Sequence, residues 1–117
     1  GASAVEFLDS DWIAPGGFVA AVDLARSWRR DRLGTLDLLA TDDHAQTRAL
    51  TATGRMTHAG PYHADLADLC AGTFAGRSSD AQRALFNFSG HALADLAAAQ
   101  IVYETAMKCG RGTRLPR

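Results

Sequence analysis

An excess of charge of either sign is missing from this 117-residue chain: 12 basic side chains face 13 acidic ones, for a net charge of −1. Polyanion binders usually carry a basic surplus, so the balance speaks against nucleic acid as a partner. Long apolar runs are missing too. The uncharged stretch 12–22 is broken by Pro15, Gly16 and Gly17, and it falls far short of the ~20 residues a membrane helix needs. No secretory or lipidation signal is visible. Cysteine is scarce: Cys70 and Cys109 lie far apart with no CxxC pairing, and both are expected to be reduced, buried thiols of a cytoplasmic protein. Large apolar side chains are fewer than the 47% hydrophobic content suggests, because 23 of those residues are alanine. One compact domain with a small core is expected, marginal unless it associates with something.

Two chemical signatures are absent as well. A hydrolase of the GxSxG type has no candidate nucleophile turn here. No GxGxxG occurs either; Gly110-Arg111-Gly112 lacks the third glycine and follows a helix, and Gly16-Gly17 precedes a strand.

What is present reads as alternating strands and helices. Residues 4–8 suggest a short strand, and a turn from Ser10 or Asp11 is expected to bury Trp12 and Ile13. The apolar runs 17–23 and 36–40 have the look of neighbouring strands of a parallel sheet, the first covered on both faces. Thr41-Asp42-Asp43 closes the second run with capping chemistry, one aspartate capping the next helix and the other facing the cleft. Residues 42–53 read as a helix with Ala45, Ala49 and Leu50 inward; 56–62 read as a loop. A short helix over 63–71 is expected to carry Leu66, Leu69 and Cys70 on one side and to stop at Gly72. The apolar stretch 84–88 has no assigned type. The strongest periodic signal is last, a helix from Ser89 or Gly90 to Cys109 that is apolar or small on both faces, one stripe being Leu93, Leu96, Ala97, Ile101 and Met107. Such a helix needs two partners.

Other constellations read more plainly. His58 and His63, with His44 as a possible third, lack helical ligand spacing and a completing Cys or carboxylate, so no metal site is assigned. Arg26, Arg29, Arg30 and Arg32 surround Trp28 but are interrupted by Asp23, Asp31 and Asp37, the pattern of a solvated connection with one buried tryptophan. Lys108, Arg111, Arg114 and Arg117 sit at or beyond a helix C-terminus, where cations offset the dipole.

Taken in order, Trp12-Ile13-Ala14-Pro15-Gly16, Phe18-Val19-Ala20-Ala21-Val22-Asp23, Ala40-Thr41-Asp42-Asp43-His44-Ala45-Gln46, Tyr62-His63-Ala64-Asp65-Leu66, Gly76-Arg77-Ser78-Ser79-Asp80 and Gly90-His91-Ala92-Leu93-Ala94-Asp95-Leu96 form a series. Tyr103-Glu104-Thr105-Ala106 and Gly110-Arg111-Gly112-Thr113 complete it. The series resembles the C-terminal third of the ornithine cyclodeaminase and mu-crystallin family and covers nearly the whole chain.

The resemblance implies a dimeric, NAD- or NADP-dependent oxidoreductase or deaminase acting on amino or imino acids. It implies an α/β fold: a partial Rossmann-like parallel sheet over residues 1–88, with a long C-terminal helix and tail over 89–117. On the family's map the chain starts partway through the nucleotide fold, so a missing N-terminal half or a homo-oligomer is the implied partner. In ornithine-deaminating members a Gly-x-Asp follows the Pro-Gly turn; its aspartate aligns here with Ala25, and its glycine with Asp23. Asp23, at the carboxyl end of a strand where open α/β sheets bind ligands, is the candidate catalytic and cofactor-facing residue, or else a turn cap. Phe88 stands where the family has serine, with Ser89 next to it, and His91 lies on the first turn of the last helix, where helix N-termini face bound anions; Phe88, Ser89 and His91 are the candidate cofactor-binding residues. Two readings stay open: a part or truncated relative of such an enzyme, inactive alone with weak or no cofactor binding, or a non-enzymatic, self-associating module on the same scaffold.

Overall fold

The computed structural model describes residues 5–56, 58–113, 115 and 116. Four strands, β1 (Phe18–Ala21), β2 (Leu38–Thr41), β3 (Ala64–Asp65) and β4 (Ala84–Asn87), form one sheet in the order β1-β4-β2-β3, and every adjacent pair is parallel. Helices α1 (Arg30–Leu33), α2 (His44–Ala52), α3 (Leu66–Ala71) and α4 (Ala92–Lys108) alternate with the strands after a 3-10 turn at Ser10–Trp12. The α/β class and the long last helix agree with the sequence reading.

The unassigned stretch 84–88 supplies the middle of the sheet. β4 pairs with β1 on one side and β2 on the other, so the two apolar runs expected to be neighbours are separated by it. Pairing on both sides satisfies the backbone polar groups of β4, and Ala84, Leu85 and Asn87 are buried. β1 is an edge strand of which only one face is covered. Ala21 belongs to the core with Ile13, Ala25, Trp28, Leu33, Leu36, Leu39 and Leu85, whereas Phe18 and Val22 on the other face are 64% and 75% exposed. The expected double coverage of this strand therefore does not hold.

Several local expectations are corrected for identifiable reasons. Of residues 5–8, Leu8 alone makes a bridge, to Trp28, and no strand forms there; Ala4 lies outside the described residues. Trp12 is exposed, because residues three apart eclipse on a 3-10 turn and here Ser10 and Ile13 take the inner side. The Ser10 hydroxyl donates to the Arg32 carbonyl at 2.9 Å. In α2, Ala45 and Ala49 face out. The inward residue is Thr47, whose hydroxyl pairs with that of Thr41 on β2 at 2.7 Å. The 63–71 helix starts only at Leu66, because Ala64 and Asp65 pair with Ala40 and Thr41 of β2. Its Leu66 and Cys70 are exposed, as is Cys109, so neither thiol is buried; both are free. Gly72, in the left-handed region, closes α3 as expected. α4 starts two or three residues late, at Ala92, with His91 as its N-cap. None of its 17 residues is buried.

Candidate functional site

Parallel pairing puts four strand ends on one edge. Ala21, Asn87 and Thr41 are level across the sheet, and Thr41 is level with Asp65. The next residues, Val22, Phe88, Asp42 and Leu66, therefore open onto the carboxyl edge together. That is the edge at which open α/β sheets bind ligands. A groove of about 320 Å³ lies there, lined by Asp42, Leu66, Phe88, His91, Leu93, Ala94 and Ala97. Its walls are largely apolar, with Asp42 and His91 as the polar side chains among them, the usual make-up of a small-molecule site.

Two adjacent aspartates organise the groove. Asp43 caps α2 by accepting from the Gln46 amide at 2.7 Å. Asp42 grips the turn between β4 and α4: its carboxylate accepts from the Ser89 hydroxyl at 2.6 Å, from the Ser89 amide at 3.1 Å and from the Gly90 amide at 2.9 Å. Burial alone would push the Asp42 carboxyl up. The Ser89 hydroxyl and the Ser89 and Gly90 amides outweigh it and hold the group below the ordinary carboxylate range. Gln46 donates its side-chain amide to the Gly90 carbonyl, so both polar groups of Gly90 are bonded from the β2–α2 segment.

The sequence-predicted candidates divide accordingly. Phe88 and His91 line the groove. Ser89 turns to Asp42 instead, and His91 lies 4.0 Å from Asp43 through Nε2 without capping α4 by its side chain. Asp23 sits at the end of β1 and accepts from the Ser27 hydroxyl at 2.6 Å and the Ser27 amide at 3.0 Å. This contact closes a turn in which Leu24 and Ala25 take positive φ (64° and 53°), and Ala25 is fully buried.

Sequence reasoning missed the polar layer beneath the edge. Asn87, fully buried, donates to the Tyr62 hydroxyl at 2.7 Å, and that hydroxyl donates to the His58 carbonyl at 3.3 Å. Burial pushes the Tyr62 phenol up and the His58 imidazole down. The available signal was an asparagine inside the apolar stretch 84–88, a position that needs a polar partner. Among the described residues, the group close enough to share an ion is His44 with Asp65 and Asp68; His58 and His63 are not part of it. Asp65 and Asp68 already form the capping box of α3.

This architecture is a Rossmann-like α/β fold. The crystal structure of CmnK superposes with a TM-score of 0.80 at 24% identity, covering 99% of this chain and 36% of that one. Thermococcus litoralis Δ1-pyrroline-2-carboxylate reductase, solved with NADH and L-proline, gives 0.75 at 23% identity over 97% of this chain and 38% of its own. An archaeal alanine dehydrogenase dimer with bound NAD gives 0.69 at 20%, covering 98% and 39%. The ornithine cyclodeaminase/mu-crystallin family model matches residues 2–110, and the chain belongs to that family. In Staphylococcus aureus (strain NCTC 8325 / PS 47), N-((2S)-2-amino-2-carboxyethyl)-L-glutamate dehydrogenase is 25% identical over 115 residues, 93% of this chain and 34% of the relative. The chain thus spans about a third of the length of the proteins it matches.

The residues present fit one end of a dinucleotide. Phe88, Leu93 and Ala94 offer an apolar wall for a flat ring, with His91 and Asp42 at its polar margin. The pyrophosphate needs backbone amides of a glycine-rich strand-to-helix turn, and the sequence holds no GxGxxG.

Proposed function

We propose that this chain forms the nicotinamide-side portion of an NAD(P)-dependent oxidoreductase acting on amino or imino acids, and that it is catalytically silent alone. Residues 1–88 would contribute the nucleotide-fold layer and 89–117 the arm that meets the rest of the enzyme or a second subunit. The observation that carries this reading is the groove at the carboxyl edge of a parallel sheet in a member of this family whose given sequence holds no GxGxxG. When bound, the cofactor supplies hydride transfer at its nicotinamide ring. Phe88 would hold that end of the cofactor, and Leu93 and Ala94 would exclude water from it. His91 is the groove's titratable group nearest the α4 terminus. Asp23 is the one candidate acid or base at the end of β1, and its bond to Ser27 commits it to the turn.

Incubation with NADH and a cyclic imino acid, followed by NADH absorbance, is expected to give no turnover above a heat-killed control. Turnover that Asp23→Asn abolishes would overturn the silence and make Asp23 the working acid or base.

One observation favours a second, self-associating role. Leu93, Leu96, Ile101 and Met107 of α4 are each more than half exposed, a large apolar stripe for a monomer. Burying four such side chains between subunits contributes roughly 1.5 to 3 kcal/mol each before association costs. Sedimentation equilibrium is expected to show at least twice the 12.4 kDa chain mass, and Leu96→Asp to reduce it. A well-folded monomer would exclude this role. Among the described residues no helix is long and apolar enough to cross a membrane. Two free, exposed thiols suit a reducing compartment, and we place the protein in the cytoplasm.

A further inference from the structure

We infer that Asp42 is the positioning residue of this site: its carboxylate holds the turn between β4 and α4 in the one conformation that presents Phe88 and His91 to the dinucleotide. The inference rests on the reading of the groove as a nicotinamide site. It follows from where the hydrogen bonds go. The turn 88–91 connects a buried strand to a helix with no buried residue, so packing on the helix side does not fix it. The β2–α2 segment fixes it instead, through Asp42 to Ser89 and Gly90 and through Gln46 to the Gly90 carbonyl. Gly90 takes a φ of 89° there, in the region that favours glycine.

The demand on residue 42 is narrow. Both carboxylate oxygens accept, Oδ1 from the Ser89 hydroxyl and both from the Ser89 amide, with Oδ2 also taking the Gly90 amide. Only an ionised carboxylate offers two acceptor-only oxygens. An asparagine of the same shape would point its NH₂ at the Ser89 N–H whichever way it turned, and a glutamate would push the turn outward. Acid has the same effect as the amide. With its folded titration below the ordinary aspartate range, Asp42 grips the turn above that point and releases it as pH falls through it. The other titratable groups around the turn are Asp43, His91 opposite it at 4.0 Å, His44 at the head of α2, and Tyr62 on the loop before β3, which feels the Asp42 charge.

The test uses the intact chain and amide NMR, with NADH as the probe. In the wild type, millimolar NADH is expected to shift amides of residues 88–94, and acid titration to move the Ser89 and Gly90 amides together with one midpoint below the ordinary aspartate value. Asp42→Asn is expected to move the same two amides without ligand and to weaken NADH about tenfold, the loss expected when the competent turn is populated about one time in ten. Leu36→Val, at the opposite edge of the sheet, is the control: it lowers stability and leaves NADH binding unchanged. Equal weakening by Leu36→Val would reduce Asp42 to a general stabiliser and overturn the inference. Ser89 and Gly90 amides that stay in place in Asp42→Asn, or that ignore acid in the wild type, would overturn it whatever NADH does. Amides that move as expected in a chain whose groove NADH leaves unperturbed would overturn the nicotinamide reading, and with it the positioning role.

Discussion

α2 and α4 meet the rest of the molecule in opposite ways. α2 has nine residues, is capped by Asp43 and sets Thr47 into the core against Thr41. α4 has 17, carries more of the large apolar side chains, and buries none. The radius of gyration shows the consequence: 17.5 Å, against about 13 Å for a compact 100-residue domain. Apolarity tells that a helix needs a cover, not that the same chain provides it. Both helices follow strands at the same edge of one sheet, so the difference lies in what is available to lie over them.

The sharpest way to break this contrast is a pair of leucines. Leu85, 1% exposed at the centre of the sheet, is expected to cost about 2 to 5 kcal/mol on Leu85→Ala, the lost transfer energy plus a cavity. Leu96, 64% exposed, is expected to cost less than about 0.5 kcal/mol on Leu96→Ala in a dilute, monomeric sample. Urea unfolding reads both. A cost for Leu96→Ala that grows with protein concentration would show that a second copy covers α4.

The helix caps give a smaller version of the same comparison. Asp43→Ala removes the bond to the Gln46 amide and is expected to cost on the order of 1 kcal/mol. His91 caps α4 without a side-chain bond, so His91→Ala is expected to leave the thermal midpoint nearly unchanged. An equal drop in both would mean that His91 holds α4 through its approach to Asp43, at 4.0 Å.

The features legible in the sequence were those set by local chemistry. Asp42-Asp43 after an apolar run announced a strand end and a helix start; Gly72 announced a stop; the 89–109 periodicity announced the last helix. What was not legible depended on partners far along the chain. Four residues at 84–87 carry no helix or strand period long enough to read, and they became the central strand because β1 and β2 flank them. Ala45 and Ala49 looked inward on a helical wheel, but a threonine pair set the rotation of α2. For the site, Phe88 was found through the resemblance and His91 through its place at the start of the last helix, while Asp42 and Asp43 were read only as one helix cap and one residue facing a cleft. The grip of Asp42 on Ser89 and Gly90 reaches across 47 and 48 residues of sequence and leaves no local mark. The Asn87–Tyr62–His58 layer is hidden for the same reason.

The finest test of the contrast uses two glycines with the same local problem. Gly72 ends α3 at φ 71° and Gly110 follows α4 at φ 63°, and in both a Cβ would meet nothing within 4 Å. Alanine at either position therefore adds only the strain of a left-handed backbone, roughly 1 to 2 kcal/mol. The strain should appear in different places. The Gly72 amide donates back to the carbonyls of Asp68 and Leu69, and Asp68 belongs to the capping box that joins α3 to the edge strand β3, so Gly72→Ala is expected to subtract from the global unfolding free energy. At the far end of α4, Gly110 and Arg111 donate only to the helix's own carbonyls, Met107 at 3.3 Å and Ala106 at 2.8 Å. There Gly110→Ala is expected to fray the last turn, seen as faster amide exchange over residues 105–109, while the urea midpoint stays put. If Gly110→Ala lowers the midpoint as much as Gly72→Ala, α4 unfolds with the sheet as one unit, and some surface in solution covers the helix that this chain leaves bare.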